Sequence, residues 1–170
     1  MSPRPRLEIA VQKTLRRAGL PTAVELRRWV RAAAGDAGGE VTVRIVGEDE
    51  SAELNSRYRA RSGPTNVLAF PAAAELLGGP GGDEGLPPAG GDEDLPPLGD
   101  VVVCAPVVER EAAEQGKTPA AHWAHIVIHG TLHLVGYDHE NRADARIMED
   151  RERALLAGFG FDDPYSMPGQ

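Results

Sequence analysis

The residues of this sequence with the greatest chemical potential are its five histidines, which all lie in one short stretch. They are His122, His125, His129, His133 and His139. At about 100° per residue, the first four fall within an arc of roughly 80° on one face of a helix. Two of them, His129 and His133, are one helical turn apart, so their rings can converge on one ion. Helical histidine pairs hold zinc in this way.

A third ligand must come from beyond the helix, because a straight helix cannot bend three imidazoles onto one metal. Gly136 is expected to end the helix, and His139 then folds back over the pair. The pattern His-x3-His-x5-His gives three neutral nitrogen ligands and leaves a position for water, which is typical of a catalytic zinc site. Zinc in such a site lowers the pKa of its bound water towards about 7. The spacing therefore predicts a zinc centre.

Three residues near the predicted ligands are not expected to bind the metal themselves. His125, one turn before His129, is predicted to face the substrate or to support a ligand rather than to bind the metal. For Asp138 two interpretations stay open, a hydrogen bond that orients a ligand imidazole or the turn itself. His122 is expected to lie nearer the surface. A zinc ion that only stabilises the fold would use the same three ligands.

Other residues limit the substrates that such a site can attack. A helical-pair zinc protease carries glutamate directly after the first histidine, and here that position is Gly130. A zinc deaminase requires a Cys-x-x-Cys pair, whereas Cys104 is the single cysteine. A phosphodiester is the substrate that the rest of the chain can accommodate, because the run Arg57-Tyr58-Arg59-Ala60-Arg61 offers guanidinium groups for its phosphate. A solvated helix end explains the same run.

The elements that must position these residues alternate between strands and helices. Strands are predicted at 7–11, 41–45, 66–70 and 100–104, and helices at 22–34, 49–58, 107–115, 118–135 and 143–156. The histidine stretch is apolar on its other faces, which predicts a buried helix. Glycine, proline and acid dominate residues 72–98, so this segment is predicted to be a disordered acidic insertion. One core and one insertion indicate a single α+β domain over residues 1–170.

Charge and composition exclude several classes of protein. The net charge is −8, but residues 1–61 carry 12 Lys and Arg against 8 Asp and Glu. The net negative charge therefore comes from the middle and the C-terminal end of the chain. A basic first third is compatible with a phosphate-bearing ligand. The apolar runs are too short for a transmembrane helix or a signal peptide. A single cysteine cannot form an intramolecular disulfide. Together these features predict a soluble, cytoplasmic protein with no membrane partner.

Several motifs resemble the YbeY family of bacterial endoribonucleases. The resemblance covers residues 122–165, the segment 54–71 and Leu98-Gly99-Asp100. It is most specific in His-Gly-x-Leu-His-Leu-x-Gly-Tyr-Asp-His. The resemblance implies a mixed sheet of about four strands, packed with about five helices. It also implies that each chain binds one zinc ion, with His129, His133 and His139 as its ligands.

The same resemblance implies a function. It indicates a zinc-dependent, single-strand-specific endoribonuclease of 16S rRNA 3′-end maturation and ribosome quality control, with Arg59 as the catalytically important arginine. Its implied partners are single-stranded rRNA and the ribosome or ribosomal proteins. Arg57 and Arg61 join His125 and Asp138 as candidate substrate or supporting residues. The alternative function is a non-catalytic ribosome-assembly factor with a structural zinc ion.

Four residues depart from the family pattern. Arg61-Ser62 replaces a usual Lys-Asp pair, Asn66 replaces Asp, and Ala69 replaces a common Ser. None of them removes a predicted metal ligand or Arg59. They alter the surroundings of Arg59, where the substrate is expected to bind.

Overall fold

The structure, a computed structural model, describes residues 6–72 and 95–166. These residues form four strands and five helices. The strands are β1 (Leu7–Lys13), β2 (Gly39–Val46), β3 (Val67–Pro71) and β4 (Pro97–Cys104). The helices are α1 (Ala23–Ala34), α2 (Glu48–Arg59), α3 (Ala105–Glu114), α4 (Pro119–Leu134) and α5 (Arg142–Gly158). The predicted α+β architecture is confirmed.

The strands form one mixed sheet in the order β1-β2-β4-β3. β1, β2 and β4 are parallel to one another, whereas β3 is antiparallel to β4. Within the described ranges β3 pairs with β4 alone, which makes β3 an edge strand. The outer backbone groups of β3 are therefore available for contacts other than sheet pairing.

Helix α4 is the central helix of the core. It packs against α1, α3 and α5, and against β3 and β4 of the sheet. Trp123, Ile128 and Leu132 of this helix are almost completely inaccessible to solvent. Burial of each such side chain stabilises the fold by about 1.5–3 kcal/mol. The predicted burial of the histidine helix is confirmed.

Gly130 allows α4 to approach the sheet closely. A Cβ atom at this position would lie only 2.8 Å from a methyl group of Val101 on β4 and 2.8 Å from one of Val67 on β3. Both distances are shorter than van der Waals contact, so a larger side chain would push the helix away from the strands. The residue that separates this sequence from the zinc-protease motif is thus required by helix–sheet packing.

The predicted insertion ends earlier than its composition indicated. Pro97, Leu98 and Gly99 belong to β4, and Gly99 pairs with Pro71 of β3. The register between β2 and β4 shifts beside Glu40, where Leu98 is the extra residue of a β-bulge. A bulge of this kind accommodates residues that otherwise interrupt strands, which is why the composition misled. Residues 73–94, the rest of the predicted insertion, lie outside the described residues.

None of the helices in residues 6–72 and 95–166 combines the length and the apolar composition that a bilayer crossing requires.

Replacement of Gly130 by alanine tests the close packing of α4. We expect Gly130→Ala to lower the free energy of unfolding by about 1–3 kcal/mol, because the new methyl group overlaps two valine side chains. Gly158→Ala is the matched control, since nothing lies within 4 Å of a Cβ atom there. That change should leave stability unchanged or raise it by up to about 1 kcal/mol. Urea denaturation measures both, and equal effects would contradict the packing argument.

Candidate metal centre

The ends of α4 determine where its histidines lie. The Thr118 side chain accepts a hydrogen bond from the backbone N–H of Ala121 and so caps the start of the helix. At the other end Gly136 has φ +105°, a conformation that favours glycine. The N–H of Gly136 donates to the carbonyl of His133 at 3.2 Å, and the N–H of Tyr137 donates to the carbonyl of Leu132 at 3.0 Å. These two bonds form a Schellman motif, which turns the chain back on the helix.

Three histidines converge where the chain turns back. The Nε2 atoms of His129 and His133 lie 3.2 Å apart. The ring of His139 lies 4.9 Å from that of His133 and 5.9 Å from that of His129, measured between centroids. One ligand atom from each ring lies within 4.8 Å of the other two.

These distances suit a small divalent cation. With Zn–N distances of 2.0–2.1 Å, two ligands of a tetrahedral site are roughly 3.3 Å apart. The Nε2 atoms of His129 and His133 already have about this separation. The two rings are half-buried and His139 is exposed, so the group opens to solvent on one side. The described residues can therefore hold one metal ion and leave a coordination position accessible.

Sequence reasoning missed Glu152, a carboxylate with no exposed surface on α5. Its Oε1 lies 2.9 Å from Nδ1 of His129, its Oε2 lies 2.6 Å from Nε2 of His125, and the Tyr165 hydroxyl donates to Oε2 at 2.5 Å. Burial raises the pKa of Glu152, but these hydrogen bonds outweigh it and lower the pKa to about 2. Glu152 lies four residues from both Met148 and Leu156 on one buried face of the helix. The sequence signal that could have identified Glu152 is a charged residue at a helix position whose neighbours one turn away, Met148 and Leu156, are apolar.

The side chain of His125 contacts Glu152. His125, His129 and Glu152 also bring ligand atoms within 4.8 Å of one another. The distances from Glu152 to the two rings are those of hydrogen bonds, and His125 and Glu152 are buried whereas His129 is half-buried. This arrangement corresponds to support of a ligand, one of the two roles that the sequence indicated for His125.

His122 is buried, contrary to the expectation that it lies nearer the surface. It is 2% exposed, and its Nε2 lies 2.9 Å from Oε1 of Glu111 on α3. Glu111 also accepts a hydrogen bond from the Asn66 side chain at 3.1 Å. Burial lowers the pKa of His122. A partner distant in the sequence allows this polar ring to enter the core.

Asp138 serves the turn. Its carboxylate accepts the backbone N–H of His139 at 2.7 Å. The bond is made to the main chain and not to an imidazole, so of the two sequence interpretations the geometry matches the turn.

Arg59 lies beside the metal group at the end of α2. Its guanidinium donates to the carbonyl of Ala69 on the outer edge of β3 at 2.6 Å and lies 5.4 Å from the centroid of the Phe70 ring. The helix ends because Ala60 adopts a left-handed conformation with φ 55°. Arg59 is exposed, and these two contacts hold it towards the histidines.

The other two arginines of the basic run lie elsewhere. Arg57 lies 3.9 Å from a carboxylate oxygen of Glu53 on the same helix. Arg61 follows the helix end, and neither side chain lines the cleft that holds Arg59. Residues two apart on a helix lie roughly 200° apart around its axis, so Arg59 faces the cleft and Arg57 does not, whereas Arg61 lies beyond the end of α2.

One cleft contains both the metal group and Arg59. It has a volume of about 530 Å³ and lies between the outer edge of β3, Arg59 and the end of α4. His129, His133 and His139 form one wall. A cation site and a guanidinium that face the same space suit an anionic ligand.

Comparison with known proteins decides the family. The family model described as Endoribonuclease YbeY matches residues 10–160 of this chain. The chain belongs to the YbeY family.

Other YbeY proteins resemble this one over almost their whole length. The proteins named Endoribonuclease YbeY from Xanthomonas axonopodis pv. citri and Methylococcus capsulatus are 50% and 51% identical to it. These matches cover 95% and 91% of this chain and 94% and 95% of the two relatives. A Thermotoga maritima protein with a solution structure matches at 27% identity and a TM-score of 0.51, over 96% of this chain and 99% of that protein.

Acid should destabilise this YbeY protein, free of metal, in two pH ranges. Burial lowers the pKa values of His122 and His133 below 6.5. The unfolded chain therefore binds protons that the native rings do not, and the free energy of unfolding falls as the pH drops through about 6.5. Glu152, with its pKa lowered from 4.5 to about 2, stabilises the fold above about pH 4.5, and this contribution is lost between about pH 4.5 and 2.

Urea denaturation across this pH range measures both effects. His122→Gln should reduce the fall near neutral pH, and Glu152→Gln should reduce the fall in acid. Stability that rises as the wild-type protein is acidified from about pH 7 to 5 would contradict the assignment of neutral, buried rings.

Proposed function

We propose that this chain is a zinc-dependent endoribonuclease that cleaves single-stranded RNA. One observation carries the proposal: three convergent imidazoles and an arginine face the same cleft. The relatives named Endoribonuclease YbeY support RNA as the polymer. We further propose, from the family resemblance, that the substrate is the 3′ end of 16S rRNA and that the protein acts in the cytoplasm. Its partners there would be the ribosome or ribosomal proteins, and its wider role ribosome quality control.

The donor set favours zinc as the ion. His129, His133 and His139 are neutral nitrogen ligands in their metal-binding form, and the spacing of the first two fits tetrahedral coordination. Burial and the neighbouring rings of His129 and His139 lower the pKa of His133. That ring therefore stays neutral, and able to bind, at a lower pH than an exposed histidine. When bound, zinc supplies Lewis acidity to the phosphate and lowers the pKa of a coordinated water.

Arg59 supplies the positive charge for the phosphate. Its bond to Ala69 and its position over the Phe70 ring fix the guanidinium plane at the cleft. A guanidinium has five N–H donors, so the bond to Ala69 leaves others for a phosphate oxygen. Phosphodiester cleavage adds negative charge in the transition state, and a fixed cation stabilises that charge more than it stabilises the ground state.

Two nucleophiles are compatible with this arrangement. In the first mechanism water attacks phosphorus directly, and in the second the ribose 2′-OH of the substrate attacks it. Analysis of the product ends separates them, because a 2′,3′-cyclic phosphate forms when the 2′-OH attacks.

Replacement of Arg59 tests the proposed role. Arg59→Ala should reduce cleavage of an unstructured RNA oligonucleotide by about 10²–10³-fold, since the transition-state charge loses a fixed donor. Zinc binding should not change, because Arg59 is not a ligand. Arg57→Ala is the matched control and should retain activity, as its side chain lies outside the cleft. Equal losses in the two variants, or full activity of Arg59→Ala, would contradict the proposal.

The alternative, a ribosome-assembly factor with a structural zinc ion, gives a different outcome in the same assays. It predicts no cleavage by the zinc-loaded wild-type protein, together with unfolding when zinc is removed. The exposure of His139 and the opening of the metal group into a cleft favour the catalytic function. A protease is disfavoured, because position 130, which carries the glutamate of zinc proteases, packs against β3 and β4.

A further inference from the structure

Glu152 is the acidic residue that the core encloses completely. In the part of the chain that the structure describes, it is the only Asp or Glu in the buried class, with 0% exposure. The side chains on either side of it along α5, Met148 and Leu156, are buried and apolar. A carboxylate in such surroundings is strongly unfavourable unless hydrogen bonds satisfy it. Its partners therefore decide what it does.

The contacts of Glu152 set the protonation of a predicted metal ligand. An ionised carboxylate only accepts hydrogen bonds, so Nδ1 of His129, 2.9 Å from Oε1, carries the ring proton. In the neutral ring the other nitrogen, Nε2, is then the unprotonated one. That atom lies 3.2 Å from Nε2 of His133, inside the group of three histidines.

The second oxygen of Glu152 is fixed independently. It lies 2.6 Å from Nε2 of His125 and accepts the hydroxyl of Tyr165 at 2.5 Å. The Tyr165 ring lies 5.1 Å from the guanidinium carbon of Arg153, which also binds Asp163. Both oxygens of the carboxylate therefore have hydrogen-bond partners, and the carboxylate cannot rotate away from His129 without breaking these contacts.

We propose that Glu152 is a positioning residue of the metal centre, which acts through His129. Its carboxylate holds the His129 ring in the tautomer and orientation that present Nε2 to the ion, and Tyr165 and His125 hold the carboxylate. This inference rests on the proposed zinc site. Partners of this kind fix ligand orientation and increase ligand basicity. His133 receives comparable support from a hydrogen bond to the backbone of Tyr137.

The test is the zinc affinity of the full chain, measured by competition with a chelating indicator. Glu152→Gln keeps the shape of the side chain but removes the charge and one acceptor oxygen. We expect its zinc dissociation constant to rise about 10- to 100-fold. Glu111→Gln is the matched control. Glu111 makes the same kind of contact to His122, which lies on α4 like His129 but outside the metal group. It should leave zinc affinity unchanged, whatever its effect on stability.

A second measurement needs no variant. In the metal-free wild-type protein at about pH 8, where histidine is neutral, long-range ¹H–¹⁵N spectra report which ring nitrogen carries the proton. We expect His129 to be protonated at Nδ1 and unprotonated at Nε2. The opposite tautomer would overturn the inference even if Glu152→Gln did not fold.

The outcomes separate this inference from the proposed function. Wild-type protein that binds zinc, with an equal affinity in Glu152→Gln, overturns the positioning role and leaves the metal centre in place. Equal losses of affinity in Glu152→Gln and Glu111→Gln assign a general structural role to both residues and overturn the inference. Wild-type protein that binds no zinc overturns the metal centre, and the role of Glu152 with it.

Discussion

Two backbone hydrogen bonds at the end of α4 hold the third histidine beside the first two. A single helix can direct two imidazoles to one point when they are one turn apart, but it cannot direct a third. Gly136 adopts a conformation that permits the chain to reverse, and the bonds from Gly136 and Tyr137 stabilise the reversal. Asp138 then fixes the backbone N–H of His139. The metal group therefore depends on the way in which one helix stops.

A second constraint is the distance between α4 and the sheet. Gly130 lets the helix lie against Val67 and Val101, which places the histidines next to the outer edge of β3. The same edge anchors Arg59 through the carbonyl of Ala69. An edge strand with unpaired backbone groups is usually a liability. Here one of those groups positions the charge that faces the metal centre, so packing and chemistry depend on the same strand.

The local features of the site were predictable from the sequence. The spacing of His129 and His133 and the glycine stop at 136 depend on residues within two turns, and the strands and helices followed from apolar periodicity. Contacts between distant segments were not predictable. Glu152 reaches His129 across 23 residues, and Glu111 draws His122 into the core across 11.

Composition misled at the start of β4, because a bulge and the conformation of Gly99 convert a Pro-Leu-Gly run into a strand. Within the basic run, helical rotation separates Arg59 from Arg57, and Arg61 lies beyond the end of α2. The types of these residues alone do not distinguish the three arginines, and only the family resemblance indicated Arg59. The sequence thus predicted the metal group better than the shell that supports it.

X-ray absorption at the zinc edge, on the wild-type protein loaded with one equivalent of zinc, tests the central claim most directly. Convergence of His129, His133 and His139 predicts three imidazole nitrogens and one further light ligand at about 2.0–2.1 Å. A spectrum that shows fewer than three imidazoles, or a zinc–sulfur distance of about 2.3 Å from Cys104, would contradict it.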